Sequence, residues 1–144
     1  MVKRQKRKVV VVSGGFDPVH IGHVRMIIEA SRMGDVIIIA NSDEWLIRKK
    51  GYTFMPYGER QEVLYGFKGV IDVIKAKDDD GTVCKTLEKI NPDIFANGGD
   101  RKNDNTPEVE LCKKLGIELE WNVGGDKIQS SSELVDKMKK MENE

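Results

Sequence analysis

Short apolar runs separated by longer amphipathic segments divide this chain into predicted strands and helices. The first run is four consecutive valines that begin at Val9, and β-branched residues of this kind suit a strand covered on both faces. Farther along, Val24 and Ile27 recur with the helical period, so we predict a helix that begins at Ile21. The same alternation continues to the end of the chain, with predicted strands at 9–12, 35–40, 70–75, 93–96 and 117–121, and predicted helices from 21, at 43–47, 58–67, 82–90 and 106–115, and from the serine cluster at 130–132.

Strands that alternate with helices predict the fold class. Parallel strands need crossover connections, and right-handed crossovers place helices on both faces of the sheet. We therefore predict an α/β fold, a three-layer Rossmann-like arrangement around five parallel strands, with residues 9–144 as one domain behind a basic tail at 1–8. Ligands of such sheets lie at the carboxyl ends of the strands, where the strand order reverses. That rule selects the loops at 13–23, 41–56, 75–81, 97–106 and 122–132.

The loop after the first strand carries the densest chemistry. The pair Gly14-Gly15 lets the backbone turn sharply and approach a ligand. His20 and His23 lie three residues apart on the first helical turn, so we expect both imidazoles to face the same point. A helix N-terminus also supplies unpaired N–H groups and the positive end of the macrodipole. The loop therefore predicts a site for a nucleotide triphosphate. In the alternative interpretation, His20 caps the helix and His23 packs in the core; a zinc site lacks a tetrahedral ligand set.

The segment Gly14-Gly15-Phe16-Asp17-Pro18-Val19-His20-Ile21-Gly22-His23 resembles the signature of the cytidylyltransferase-like nucleotidyltransferase superfamily. In that superfamily the HxGH histidines contact the triphosphate. The resemblance extends along nearly the whole chain, through Asn41-Ser42-Asp43, Gly58-Glu59-Arg60, residues 92–100 and Ser130-Ser131-Ser132. Residues 92–100 are similar to the nucleoside-binding loop of heptose-phosphate adenylyltransferases, and glycerol-3-phosphate cytidylyltransferases are also similar. The resemblance implies an HxGH nucleotidyltransferase fold and an enzyme that joins a nucleoside monophosphate to a phosphorylated acceptor and releases pyrophosphate.

The resemblance also implies a set of site residues. The catalytic set comprises His20, His23 and Lys50, the last on a charged loop at 48–56. The nucleotide-binding set comprises Gly14, Gly15, Phe16, Asp17, His20, His23, Gly98, Gly99, Asp100, Ser130, Ser131 and Ser132, and the acceptor-binding set comprises Asn41 and Arg60. A solvated charge run at 48–50, an Asx turn at Asp17 and a plain helix cap at the serines are the structural alternatives. Mg²⁺ is expected with the nucleotide and without dedicated protein ligands, because it binds mostly phosphate and water.

Composition and charge narrow the class of protein. The 144 residues are 39% hydrophobic and 33% charged, which suits a single soluble domain. The net charge of zero hides five basic residues at 3–8, which we interpret as a solubilising flank of the valine strand, so nucleic acid is not an expected partner. The apolar runs are too short to cross a membrane and the start is unlike a signal peptide, so we expect a cytoplasmic protein. Cys84 and Cys112 are interpreted as packing residues in helices.

Several choices stay open at the level of sequence. Both ATP and CTP fit the motifs; the absence of an Arg-Thr-Glu-Gly run before the serine cluster favours ATP and a sugar or polyol phosphate acceptor, with Lys127 as a weak substitute for the family arginine. The aromatic residues Trp45, Tyr52, Phe54 and Tyr57 either line the acceptor pocket or pack the loop. The alternatives are a CTP-dependent glycerol-3-phosphate or choline-phosphate type cytidylyltransferase and a non-catalytic nucleotide-binding sensor. A homodimer is expected.

Overall fold

Helices and strands alternate through the computed structural model, which describes residues 7–98, 106–125 and 131–142. The elements are β1 (Val9–Gly14), α1 (Ile21–Met33), β2 (Asp35–Ala40), α2 (Asp43–Lys50), α3 (Tyr57–Tyr65), β3 (Val70–Lys75), α4 (Cys84–Ile90), β4 (Ile94–Ala96), α5 (Pro107–Leu115), β5 (Glu118–Glu120) and α6 (Ser131–Glu142). Every predicted strand and helix is present, so the alternation read from the sequence is confirmed.

The end of α2 differs from the predicted one, and the difference affects the site. Helix α2 continues to Lys50, whereas the sequence predicts a helix over 43–47 and a loop from 48. Acidic residues in its first turn and three basic residues in its last turn complement the helix dipole and favour the longer helix. The helix ends at Gly51, whose φ of 85° lets its N–H donate to the Ile47 carbonyl. The three basic residues therefore lie on a helix and not on a loop.

The sheet has five parallel strands in the order β3-β2-β1-β4-β5. Strand β1 lies in the centre, with β2 on one side and β4 on the other. The chain therefore adds β2 and β3 on one side of β1, crosses back over the sheet, and adds β4 and β5 on the other side. The predicted α/β class with a parallel five-stranded sheet is confirmed, and the strand order reverses at the carboxyl end of β1.

The core lies on both faces of the sheet. Successive residues of a strand point to opposite faces, so Val10 and Val12 join one apolar cluster and Val11 joins the other. The first cluster includes Ile27 of α1, and the second includes Leu87 of α4. All five side chains are fully buried, and each contributes about 1.5–3 kcal/mol relative to exposure. Two covered faces explain why the strands are continuous apolar runs.

The cysteines pack as the sequence predicts. Cys112 is buried in α5 and Cys84 is the first residue of α4, and both thiols are free. Burial raises the pKa of Cys112 to about 11, because a thiolate is disfavoured away from water. None of the helices in the described ranges combines the length and the apolar character needed to cross a bilayer.

Candidate active site

The two histidines cap helix α1 reciprocally. His20 is the N-cap residue in extended conformation, and its Nδ1 accepts a hydrogen bond of 3.0 Å from the Gly22 N–H. The His23 Nδ1 accepts a hydrogen bond of 3.1 Å from the His20 N–H. The rings are stacked, with centroids 3.8 Å apart and planes 29° apart. The prediction that both imidazoles share one face of the first turn is confirmed, and the helix cap that was weighed against it is present in the same arrangement.

The capping bonds decide which proton each ring carries. A nitrogen that accepts a hydrogen bond has no proton, so a neutral imidazole with Nδ1 as acceptor carries its hydrogen on Nε2. In this arrangement each neutral ring therefore carries its N–H donor on Nε2. Two such donors at the positive end of α1 suit an anion with several oxygens, such as a polyphosphate.

Gly22 and Gly15 are explained by close contacts within the protein. A Cβ at Gly22 would lie 2.9 Å from the His20 Cε1, so a larger residue would push the capping ring aside. A Cβ at Gly15 would lie 2.9 Å from the Leu46 side chain. The sequence predicts that Gly15 makes room for a ligand. The structure instead places a core leucine against it.

Phe16 lies in the core, and its ring packs against the ring of His23. Its side chain is buried, its φ is 52°, and its ring centroid is 4.7 Å from that of His23. A Cβ at Gly14 would lie 3.4 Å from the same ring. The Phe16 ring therefore packs against His23 and helps to keep the imidazole in place, and a role of Phe16 in nucleotide binding stays a prediction.

Asp17 anchors the segment that follows α2. Its buried carboxylate accepts hydrogen bonds from the N–H of Phe54 at 2.7 Å and of Met55 at 2.5 Å. The Lys50 Nζ donates to the Asp17 carbonyl at 3.1 Å and lies 3.8 Å from the carboxylate. This geometry supports a structural role for Asp17 that is broader than an Asx turn, and it does not support the predicted contact with the nucleotide.

Lys50 is the predicted catalytic residue whose surroundings differ most from expectation. Its side chain is only 14% exposed and is held against Asp17 at the end of α2. Burial lowers the pKa of Lys50, an effect that the Asp17 carboxylate opposes and that Arg60 and Lys49 reinforce. The structure brings this cation to the loop that precedes the histidines, and its catalytic role stays a prediction.

Arg60 is fully buried and joins three segments. Its Nε donates to the Met55 carbonyl at 2.9 Å, and one terminal nitrogen donates to the carbonyls of Gly15 at 2.7 Å and Asn41 at 2.8 Å. The other terminal nitrogen forms an ion pair of 2.7 Å with Asp43. These bonds give Arg60 a positioning role in the loop, and its contact with an acceptor phosphate stays a prediction.

Asn41 is held in a similar way, by a residue that the sequence analysis missed as part of the site. The buried Asp78 carboxylate accepts hydrogen bonds from the Asn41 amide at 3.1 Å, the Ser42 N–H at 2.9 Å and the Ser42 hydroxyl at 2.6 Å. The sequence predicts a turn and helix cap for 78–80, and Asp80 does accept a hydrogen bond from the Thr82 N–H. The one available signal was the position of Asp78 just after β3, at the ligand-binding edge.

The start of α6 reaches the same edge. The Ser131 hydroxyl donates a hydrogen bond of 2.7 Å to the Pro18 carbonyl, which brings the first turn of α6 beside the loop before α1. Ser132 lies in the same turn of α6. Gly98 follows β4, the other strand beside β1. Gly99, Asp100, Lys127 and Ser130 lie outside the described residues.

A cleft of about 470 Å³ lies beyond Asn41, at the carboxyl end of β3. It is lined by Ser42, Glu44, Arg48, Lys75, Ala76, Lys77, Asp78, Asp79 and Lys85. Four cations and three carboxylates thus line the cleft; the Asp78 carboxylate accepts from Asn41 and Ser42, and Lys85 is paired with Asp79. The cleft suits an anionic or hydroxyl-rich ligand. Within the described ranges, no three histidine, cysteine or acidic residues are grouped so that they could hold a metal ion.

Comparison with known proteins identifies the family. The family model described as cytidylyltransferase-like matches residues 11–140, and the chain belongs to this family. An FAD synthase from Ferroglobus placidus is 35% identical over 113 residues, which are 78% of this chain and 73% of the relative. The bifunctional protein HldE from Actinobacillus succinogenes is 35% identical over 129 residues, 88% of this chain but only 25% of that relative.

A solved structure supports the same assignment. The lipopolysaccharide core biosynthesis protein from Thermoplasma volcanium GSS1 superimposes with a TM-score of 0.64 and 27% sequence identity, covering 81% of this chain and 94% of that one. The resemblance read from the histidine motif is therefore confirmed, and the protein is a nucleotidyltransferase.

Proposed function

We propose that the protein transfers an adenylyl group from ATP to a phosphorylated small molecule. An oxygen of the acceptor phosphate attacks the α-phosphorus of ATP, the bond from that phosphorus to the pyrophosphate oxygen breaks, and pyrophosphate leaves with the electron pair. The observation that carries the proposal is the stacked histidine pair at the start of α1, whose Nδ1 atoms accept the capping hydrogen bonds.

The histidines act on the charge that develops during transfer. Negative charge grows on the oxygens of the α-phosphorus and on the bridging oxygen that leaves with pyrophosphate. Donors already held by the helix cap need no reorganisation when that charge appears, which is the condition for strong electrostatic stabilisation. Lys50 adds positive charge at the neighbouring loop, and the first turn of α6 adds backbone N–H groups beside Pro18.

Magnesium fits this site as a companion of the nucleotide. Two buried carboxylates at this edge of the sheet, Asp17 and Asp78, already accept hydrogen bonds from protein N–H and hydroxyl groups. Mg²⁺ prefers phosphate oxygens and water with one or two carboxylates. The residues present therefore suit an ion that is held mainly by the triphosphate, and when bound it would neutralise charge on the phosphate oxygens.

FMN is the first acceptor that we propose. FAD is FMN joined to adenylate, and FAD synthase is the name of a relative that aligns with most of this chain. The structure offers a surface for a flat ring system, because Phe54 is 47% exposed while its N–H is bound to Asp17 beside the histidine turn. An exposed phenylalanine ring can contact the ring system of FMN in the offset-stacked or edge-to-face arrangement that aromatic pairs prefer.

A sugar phosphate is the second candidate acceptor. The cleft at the end of β3 is lined mainly by charged residues and has no aromatic side chain among its lining residues, so we infer that it suits a sugar phosphate better than a flat ring. Strands lie about 4.8 Å apart, which places the end of β3 on the order of 10 Å from the end of β1. The solved lipopolysaccharide core biosynthesis protein is consistent with such an acceptor.

Pyrophosphate release tests the proposal. The purified protein would be given ATP or CTP with Mg²⁺ and FMN, a set of hexose and heptose phosphates, glycerol 3-phosphate or choline phosphate, and the product would be identified by mass. We expect turnover with ATP, and FAD as the product with FMN. Turnover with CTP alone would establish the cytidylyltransferase alternative, and nucleotide binding without turnover on any acceptor would favour the sensor.

A further inference from the structure

Helix α6 touches the site through one of its faces. Ser131, Val135 and Lys139 are spaced four residues apart and so share a side of the helix. Ser131 donates to the Pro18 carbonyl, Val135 is buried, and the Lys139 Nζ lies 4.7 Å from the centre of the Tyr52 ring. Of the α6 residues whose burial the structure describes, Val135 alone is buried. The helix therefore has little apolar contact to hold it, and its polar contacts matter more.

The Tyr52 ring meets a second ammonium group from a different helix. The Lys50 Nζ, at the end of α2, lies 5.3 Å from the centre of the same ring. An ammonium within about 6 Å of an aromatic face is attracted by the ring quadrupole. Tyr52 therefore connects the lysine that ends α2 to a lysine on α6.

These contacts form a closed circuit around the site. Lys139 contacts Tyr52, Tyr52 contacts Lys50, and Lys50 donates to the Asp17 carbonyl. Asp17 is followed by Pro18, whose carbonyl accepts from Ser131 at the other end of the α6 face. The circuit thus fixes α6 at two points, and it fixes Lys50 between Asp17 and Tyr52.

We propose that Tyr52 and Lys139 are positioning residues for nucleotide binding. They hold the first turn of α6 beside the histidine pair and hold Lys50 against Asp17. The inference rests on the proposed function, since the nucleotide is the ligand that the held groups would contact. Neither residue is assigned a contact with the reacting atoms; Lys139 acts through Tyr52, and Tyr52 acts through Lys50 and α6.

The first experiment measures ATP affinity without an acceptor, so it does not depend on which acceptor is correct. A cation–π contact of about 0.5–1 kcal/mol corresponds to about a 2- to 5-fold change in affinity. We expect Lys139→Met to weaken ATP binding by that factor, and Lys139→Arg to restore it because a guanidinium also stacks on tyrosine. Lys140→Met is the matched control, since Lys140 is exposed on the same helix and outside the shared face.

The double variant tests the route of action. Tyr52→Leu should weaken ATP binding while Tyr52→Phe should not, because phenylalanine keeps the ring. Adding Lys139→Met to Tyr52→Leu should cause no further loss. Equal affinities for the Lys139→Met and Lys140→Met proteins, or independent losses in the double variant, would overturn the proposal.

Hydrogen exchange of the free protein separates this inference from the proposed function. Lys139→Met and Tyr52→Leu should speed amide exchange in α6, whereas Lys140→Met should leave it unchanged. Unchanged exchange in α6 would overturn the circuit even if the enzyme transfers adenylate. Faster exchange in a protein that releases no pyrophosphate with any acceptor would keep the circuit and reject the proposed reaction.

Discussion

The turn that begins α1 is held by hydrogen bonds between near neighbours in the chain, whereas the segment that follows β2 is held mainly by hydrogen bonds between distant residues. Hydrogen bonds at the histidine turn join residues two or three apart in the chain. Around Arg60 and Asp17, every bond except the one from Arg60 to Met55 joins residues between 17 and 45 apart. The first arrangement forms wherever the helix forms. The second exists only when β1, α2 and α3 have docked, so the two regions should respond differently to substitution.

The difference also separates the roles of the two regions. In the histidine turn, the capping hydrogen bonds are accepted by Nδ1 of each ring, which places the N–H donor of a neutral ring on Nε2. Arg60 has its nitrogens engaged by protein carbonyls and a carboxylate. A polar residue at the ligand edge of the sheet can therefore serve the ligand or the loop that holds it, and its hydrogen-bond partners decide which.

The largest effect is expected on stability, from Arg60→Met. The substitution leaves the carbonyls of Gly15, Asn41 and Met55 and the Asp43 carboxylate without this donor, and we expect a loss of about 3–5 kcal/mol in the free energy of unfolding. Urea denaturation measures this loss. Arg32→Met, at an exposed arginine in the last turn of α1, should cost less than about 1 kcal/mol. Full stability of Arg60→Met together with a raised KM for the acceptor would support the predicted contact between Arg60 and the acceptor phosphate.

His23→Ala should show the opposite pattern. Removal of one preorganised donor lowers turnover by about 10²–10³-fold, while loss of one capping acceptor costs about 1 kcal/mol of stability. Steady-state pyrophosphate release and thermal unfolding would be measured on the same protein. Lys113→Ala on exposed α5 surface serves as the control. Retention of more than about a tenth of wild-type turnover would contradict the role of the histidine.

A smaller effect should distinguish the two acceptors. If FMN stacks on Phe54, Phe54→Ala should raise the KM for FMN by about 2- to 12-fold, the equivalent of an aromatic contact of 0.5–1.5 kcal/mol. Lys75→Met in the cleft should then have less effect. With a sugar phosphate in the cleft, the order of the two effects reverses. If neither Phe54→Ala nor Lys75→Met changes the KM for the acceptor, neither Phe54 nor the cleft belongs to the acceptor site.

The smallest expected effect is on the alkaline limb of the pH profile. Burial lowers the pKa of Lys50 below the usual 10.5, so its ammonium is lost at a lower pH than that of an exposed lysine. If that charge assists transfer, kcat/KM is full below the lowered pKa and falls as the pH rises through it. Lys50→Arg should move the fall to higher pH, because arginine stays protonated. Lys49→Arg, next to it in the same turn, should leave the profile unchanged. An identical shift in both variants would show that titration of Lys50 does not cause the alkaline fall in kcat/KM.

Local pattern was sufficient for the fold and for the histidine turn. The valine run and the helical period after Ile21 come from side chains that act within one element, so β1, α1 and the parallel class were predictable. The spacing of His20 and His23 likewise determined their stacking, since a helix brings residues three apart to one face.

The roles of Asp17, Asn41, Arg60 and Asp78 depended on partners elsewhere in the chain. The predicted elements place Asp17, Asn41 and Asp78 after β1, β2 and β3 and place Arg60 on α3, but the sequence carries no record of which carbonyl or N–H each side chain meets. The end of α2 was mispredicted for a related reason, because a charge run suits both a loop and a helix terminus.

The amino-acid sequence by itself determined the order of strands and helices and the donor geometry of the histidine pair, because both arise from contacts between near neighbours. Only the tertiary structure decided that Arg60 and Asp17 hold loops together and that α6 returns to Pro18 and Tyr52. Those contacts form when distant segments pack together, and the hydrogen-bond partners available at the packed edge of the sheet then select the role of each polar side chain.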